Sequence, residues 1–185
     1  MRVRNIDLWD ALATAIIRQV IRANQARLMY QRFCRAHGEA VPTPWGTRHL
    51  IPTAEVVAKL PTLAFATLGM AFKARALVAA AEAAMACQDS WQHLTPIELV
   101  TQLQRIPRVG PWTAGATVAD YSGDFSLYPY ADLAVRTWAR RAAPAIDWPG
   151  DEPMFGAYWR RHTGRHLSDL TLLVLAWGGS RAPDS

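Results

Sequence analysis

The chain has 185 residues, 51% of them hydrophobic, a formal charge of +5 and an isoelectric point near 9.7. This length supports one domain or two closely packed lobes, and the hydrophobic content excludes a disordered chain. The positive charge favours an anionic partner. Eighteen of the twenty basic residues are arginines, which suit phosphate oxygens, although a compositional bias toward arginine explains that imbalance equally well.

Cysteine content and the absence of long apolar runs exclude further classes of protein. Cys34 and Cys87 are the only cysteines, so the chain cannot form a disulfide framework or a four-cysteine zinc or iron–sulfur site. The N-terminal residues lack a signal-peptide pattern, and no uncharged apolar run approaches the roughly 18 residues of a membrane span. We therefore expect a soluble protein of the cytoplasm, with no membrane partner.

Helical patterns follow one another along the chain. Asp7 is the expected N-cap of a first helix that runs to about residue 21, and a second helix from about residue 24 stops at Gly38. The proline-rich segment 40–53 is typical of a surface connection. Thr95 and Glu98 form a capping box at the start of a helix that reaches about residue 105. Further helices are predicted at 72–88, 113–121, 131–142, 151–161 and 168–177. Because convincing alternating strands are absent, an all-α fold is favoured.

The sequence IPRVGPWTA, residues 106–114, breaks the helical pattern and restores it at once. We expect Leu103, Ile106 and Val109 to pack inward, Pro107 to end one helix, Gly110 to take a positive φ and Pro111 to start the next helix. Such a turn exposes backbone N–H groups at a helix N-terminus, which suits a phosphate oxygen. A short turn of this kind is also common as a mere connection.

The hairpin together with LYPYADLAV, residues 127–135, resembles the helix-hairpin-helix (HhH-GPD) DNA glycosylases, particularly their 3-methyladenine DNA glycosylase II branch. The segments 15–38 and 68–83 resemble helices of the same family, so the resemblance covers about residues 7 to 178. It implies a two-lobed, all-α fold in one unit of 1–185. One bundle would come from about 38–130 and a second from both chain ends, with a DNA-binding cleft between them and a monomeric state.

The resemblance gives Asp132 the central role. In this family an aspartate after the hairpin attends the reacting sugar of a nucleotide flipped out of double-stranded DNA. Because cleavage of an N-glycosidic bond builds positive charge on the deoxyribose, a nearby carboxylate lowers the barrier. Asp132 also stands at the start of the 131–142 helix, where an aspartate commonly acts only as a cap.

The remaining site residues are carried over from the same resemblance. Bifunctional members of the family form a Schiff base through a hairpin lysine, but this position holds Trp112, so we expect hydrolysis without strand cleavage. An electron-rich pocket suits a positively charged alkylated purine, and its candidates are Trp112, Tyr128, Tyr130 and Trp177. Val20 or Ile21 would fill the vacated base stack, although core packing explains an isoleucine there equally well.

Two positions depart from the family pattern. Arg108 replaces a common glycine of the hairpin turn, where it would either contact a phosphate or signal a weakened grip on DNA. Ala116 replaces an aromatic pocket residue, which predicts a roomier pocket that accepts bulky adducts. The hairpin carbonyls would bind a monovalent cation, whereas His162 and His166 are expected to be surface residues, because Gly164 between them interrupts the helix.

These observations predict a monofunctional DNA glycosylase of base excision repair that removes alkylated purines, bulky adducts included, without a cofactor. Residues 106–111 would contact the DNA backbone. A non-catalytic DNA-binding protein is the first alternative, consistent with Arg108 and Ala116. An adenine-mismatch glycosylase is the second, although the missing iron–sulfur cysteines count against it.

Overall fold

The computed structural model describes residues 4–180, and its regular structure is almost entirely helical. The helices are α1 (Leu8–Arg18), α2 (Ala23–His37), α3 (Ala54–Ala58), α4 (Thr62–Thr67), α5 (Ala71–Trp91), α6 (Pro96–Leu103), α7 (Pro111–Ser122), α8 (Leu133–Ala142), α9 (Glu152–Thr163) and α10 (Leu167–Gly179). A short 3₁₀ turn, Gly164–His166, joins the last two. The predicted all-α class is therefore confirmed.

The first helix begins as predicted and ends early. Asp7 caps α1 by accepting a hydrogen bond from the backbone N–H of Trp9 at 2.8 Å. The helix ends at Arg18 rather than near residue 21, because Val20 adopts a left-handed φ of 61° that the helix cannot continue through. The expected long first helix is wrong in this detail, and residues 19–22 form an exposed corner before α2.

A small β-hairpin replaces part of the predicted connection at 40–53. Strands β1 (Ala40–Thr43) and β2 (Gly46–His49) pair antiparallel, with Thr43 opposite Gly46. Gly46 takes a φ of 102°, and the Thr43 hydroxyl donates to the Gly46 carbonyl, so the turn closes within two residues. The strands are too short for an alternating pattern to be recognised in the sequence.

Two hydrophobic clusters form the core, and α7 contributes to both. The first contains Leu12, Ile16, Leu77, Leu103 and Val118, where α1 packs against α5 and α7. The second contains Phe155, Trp159, Val135 and Leu175, where α8 packs against α10. Ala114 and Val118 of α7 belong to the first cluster, and Ala116 and Ala119 to the second. The N-terminus of α7 therefore emerges between the two clusters, and the predicted bundle boundaries remain a prediction.

No helix among residues 4–180 is long and apolar enough to cross a membrane.

Candidate active site

The hairpin between α6 and α7 is present, with the predicted residues inward. Leu103, Ile106 and Val109 are buried, and Pro111 is the first residue of α7. The predicted positive φ at Gly110 is wrong, because Gly110 is an extended N-cap with a φ of −88°. The left-handed residue is Arg108, with a φ of 68°. Helix α6 also ends at Leu103, before Pro107, because a hydrogen bond from Ile106 N–H to the Leu103 carbonyl already turns the chain.

A close contact on α7 places the loop that carries the acidic residue. A Cβ on Gly115 would lie 2.5 Å from the carbonyl oxygen of Leu127, so only glycine allows the 123–131 loop to rest directly on the helix. Gly115 lies one helical turn after Trp112. The loop therefore brings Tyr128 and Asp132 against Trp112.

Three donors hold the Asp132 carboxylate. Oδ1 accepts from the backbone N–H of Val135 at 2.9 Å, which makes Asp132 the N-cap of α8. Oδ2 accepts from the Tyr128 hydroxyl at 2.8 Å and from Trp112 Nε1 at 3.2 Å. Asp132 is thus both a helix cap and the acceptor at the centre of an aromatic cluster, and of these three donors Trp112 is the one that comes from a distant element, 20 residues earlier in the chain.

Asp132 lines an open cleft of about 920 Å³ beside the hairpin. The cleft lies between the start of α7, the 129–132 segment and α9, so it adjoins the hairpin at Pro111. Its lining residues are Pro111, Trp112, Pro129, Tyr130, Ala131, Asp132, Glu152, Pro153, Gly156 and Ala157.

Glu152 is a second carboxylate in this cleft that the sequence did not indicate. It is the first residue of α9 and lies 3.6 Å from Arg136 of α8. A glutamate in a first turn commonly serves the helix dipole, so nothing in its sequence position distinguishes it as a site residue. Only the packing of α9 beside residues 129–132 places it there.

The predicted pocket residues separate into two groups. Trp112 and Tyr130 line the cleft. Tyr128 does not: it is 2% exposed, stacks on Phe125, and meets the site through its hydroxyl on Asp132 and an edge-to-face contact with Trp112. Trp177 lies edge-to-face with Trp138, with ring centroids 6.2 Å apart, and is not among the lining residues.

Ala116 is fully buried in the second cluster rather than in the lining of the cleft. The expected enlargement of the pocket at this position is therefore wrong for the cleft beside Asp132. Neighbouring core side chains, among them Phe125 and Tyr128, fill the second cluster instead.

The two predicted wedge residues differ in exposure. The Val20 side chain is 100% exposed at the corner after α1, whereas Ile21 is half-buried and packs against the first cluster. A fully exposed valine in a left-handed conformation is costly both in hydration and in backbone energy. The two candidates therefore differ in exposure, and the wedge role of either stays a prediction.

The Arg18 side chain lies beside Trp112, whereas the two lysines lie outside the lining of the cleft. The Arg18 guanidinium is 5.8 Å from the Trp112 ring centroid and forms an ion pair of 2.9 Å with Asp120. Burial lowers the pKa of Lys73 to about 8, and its Nζ donates to the Gln19 carbonyl at 2.6 Å. Lys59 follows α3, and neither lysine lines the cleft.

Across residues 4–180, no three side chains of histidine, cysteine, aspartate or glutamate come together in a way that could hold a metal ion. His162 Nδ1 lies 2.8 Å from the Tyr158 carbonyl, and His166 is 3.9 Å from Asp169. A monovalent cation at the hairpin carbonyls stays a prediction.

The fold is similar to those of solved DNA glycosylases. A 3-methyladenine DNA glycosylase from Archaeoglobus fulgidus superposes with a TM-score of 0.82 at 19% identity, over 98% of this chain and 61% of that one. MBOgg1 in complex with a low-affinity DNA ligand gives 0.73 at 15% identity, over 94% and 60% of the two chains. A Clostridium acetobutylicum 8-oxoguanine glycosylase/lyase, solved with double-stranded DNA, gives 0.71 at 14%, over 94% and 60%.

No protein-family model and no curated protein matches this sequence. The chain spans about three fifths of the length of the solved structures it resembles. At these identities the similarity establishes a shared fold, and the resemblance noted in the sequence is confirmed at that level.

Proposed function

We propose that this chain, which has the fold of the helix-hairpin-helix DNA glycosylases, is a monofunctional DNA glycosylase that hydrolyses the N-glycosidic bond of flipped-out alkylated purines. The observation that carries the proposal is the position of Asp132, which lines a cleft beside the hairpin and is held there by Trp112 and Tyr128.

Asp132 stabilises the sugar cation. As the base departs, positive charge develops on the deoxyribose ring, and a fixed carboxylate lowers the barrier without reorganising. Three hydrogen bonds to the two carboxylate oxygens hold the Asp132 carboxylate in one orientation. Because three donors already occupy the two carboxylate oxygens, electrostatic stabilisation is a better role for Asp132 than proton abstraction from water.

The aromatic walls of the cleft suit an alkylated purine. Trp112 and Tyr130 present π-systems that stack on a base and attract its positive charge when it is alkylated at a ring nitrogen. Such a base is already a good leaving group, so the reaction needs little acid catalysis. Acceptance of bulky adducts was expected from a roomier pocket at Ala116, and Ala116 does not line the cleft. The proposed substrates are therefore alkylated purines without a bulky adduct.

Hydrolysis without strand cleavage follows from the nature of position 112. A lyase needs an amine at the sugar, and the hairpin position that would supply it holds a tryptophan. The Lys73 amine is bonded to the Gln19 carbonyl, outside the lining of the cleft. We therefore expect an intact abasic strand as the product.

Residues 106–111 would bind the DNA backbone, and the Val20 side chain would insert into the base stack. The amides at the start of α7 suit a phosphate, and exposed Arg108 stands in the same turn. Val20 would replace the extruded base within the stack. Ile21 is less suited to this role because it packs against the core.

A panel of duplexes tests the proposal. Purified protein is incubated with duplexes that contain a 3-methyladenine analogue, 7-methylguanine, 1,N⁶-ethenoadenine, 8-oxoguanine or an A·G mismatch, and free base and strand breaks are quantified separately. Release of an alkylated purine, with strand breaks only after alkali, supports the proposal. Tight binding with no base released from any duplex would identify a DNA-binding protein instead, and direct strand breaks would identify a lyase.

A further inference from the structure

The two segments proposed to contact DNA carry the same unusual backbone conformation. Among residues 4–180, the non-glycine residues with a positive φ are Val20, at 61°, and Arg108, at 68°. A left-handed conformation costs an L-residue about 1 to 2 kcal/mol, and such residues persist only where their surroundings hold them. The two residues are far apart in sequence, so their conformations depend on tertiary contacts.

Gln19 connects the two strained residues. It immediately precedes Val20, and its side-chain Nε2 donates to the Arg108 carbonyl at 3.2 Å. The same amide nitrogen donates to the Thr113 hydroxyl of α7 at 2.7 Å. One side chain therefore joins the corner after α1 to both the turn and the second helix of the hairpin.

Lys73 fixes the other end of Gln19. Its Nζ donates to the Gln19 main-chain carbonyl at 2.6 Å, while its side chain is only 2% exposed. Desolvation of an ammonium is costly, so the folded state tolerates it here at the expense of stability. Gln19 is thus held by α5 through its backbone and holds the hairpin through its side chain.

We infer that Gln19 is a positioning residue that couples the hairpin to the Val20 wedge, so that phosphate contact and wedge insertion occur in one fixed register. The inference rests on the proposed function for the role of Val20. Gln19 itself need not touch the reacting atoms. Its contribution is to transmit the position of the Arg108 turn to the adjoining Val20 backbone through one amide.

Gln19→Met tests the coupling, because methionine keeps the length of the side chain and removes both donors. The main measurement is the fluorescence of 2-aminopurine placed at the target position of a duplex, which rises when the base leaves the stack. We expect this signal to fall about tenfold, because a small displacement of the wedge strongly reduces extrusion of the base. Affinity for an undamaged duplex should change less than about twofold, because it depends mainly on charge contacts with the phosphates.

Two substrates separate positioning from chemistry. Excision of an alkylated purine from a fully paired duplex should fall about tenfold in Gln19→Met. Excision from a single-nucleotide bulge, where the base is already unstacked, should remain at the wild-type rate. Thr113→Val, which removes one of the two acceptors, should give a smaller loss with the same pattern.

Gln104→Met is the matched control. The Gln104 amide also donates to a main-chain carbonyl, that of Val100 at 3.1 Å, but within its own helical turn next to the hairpin. Gln104→Met should leave both the 2-aminopurine fluorescence and the excision from the paired duplex unchanged. An unchanged 2-aminopurine signal in Gln19→Met, or an equal loss of excision from the bulge and the paired duplex, would overturn the coupling. If wild-type protein releases no base, the proposed enzymatic function fails, and the 2-aminopurine measurement still decides the role of Gln19.

Discussion

Replacement of Asp132 by asparagine removes the charge on which the proposed chemistry depends. Asparagine is nearly isosteric and can still cap α8 through its side-chain oxygen on Val135 N–H. Its amide nitrogen would then face Trp112 Nε1, which can only donate. We therefore expect a folded protein that is less stable by about 1 to 2 kcal/mol.

The loss of activity should be much larger than the loss of stability. Two opposite unit charges about 4 Å apart interact with about 4 kcal/mol at an effective dielectric of 20. Loss of this attraction from the transition state alone corresponds to roughly a thousandfold decrease in rate. The rate is measured as single-turnover release of an alkylated purine from a duplex saturated with protein. Affinity for DNA is measured by fluorescence anisotropy with a duplex that contains an abasic-site analogue.

Asp151→Asn provides the control for capping. Asp151 caps α9 by the same geometry, with Oδ1 accepting from Met154 N–H at 2.8 Å, and it does not line the cleft. We expect base release within about twofold of wild type for this variant. If Asp132→Asn retains more than a tenth of the wild-type rate, or if Asp151→Asn loses as much as Asp132→Asn, the carboxylate at position 132 is a cap and the mechanism is wrong.

Three further changes follow from the structure. Arg108→Gly relieves a left-handed residue and should raise stability by about 1 kcal/mol in urea unfolding; a lower stability would show that the Arg108 side chain stabilises the turn. Burial lowers the Lys73 pKa from 10.5 to about 8, so the folded protein releases this proton at a lower pH than the unfolded chain. The free energy of unfolding of the wild type should therefore rise by up to about 3 kcal/mol between pH 8 and 10.5, and Lys73→Met should lack this rise. Trp112→Phe keeps a ring but removes the donor to Asp132, so excision should fall at least tenfold with DNA affinity unchanged; equal activity would make that hydrogen bond irrelevant.

Helix boundaries were predictable where the signal is local. The Asp7 cap and the Thr95 capping box are formed as expected, because capping depends on residues within one turn. The end of α1 was not predictable. Leu8, Leu12 and Ile16 form a helical pattern that Val20 would continue. The corner at Val20 depends on tertiary contacts, those of Gln19 with the hairpin and of Lys73 with the Gln19 carbonyl among them.

The same distinction applies to the left-handed residue of the hairpin. Glycine is the residue that tolerates a positive φ at no steric cost, so the sequence favoured Gly110. The structure places that conformation at Arg108, where tertiary contacts compensate for the strain. Local propensity is a poor guide at a position whose conformation is imposed by a distant side chain.

The sequence by itself determined the all-α class, the helix–turn–helix around residues 106–114 and the candidacy of Asp132, since these depend on periodicity, capping and a short motif. Only the tertiary structure decided that Tyr128 orients Asp132, that Glu152 shares its cleft, that Ala116 is core and that Val20 rather than Ile21 is exposed. Three of these facts depend on packing between elements distant in the chain, and the contact of Tyr128 with Asp132, four residues apart, depends on how their loop rests on α7. Sequence spacing carries no record of such contacts, because each results from how two independently formed elements bury their apolar faces.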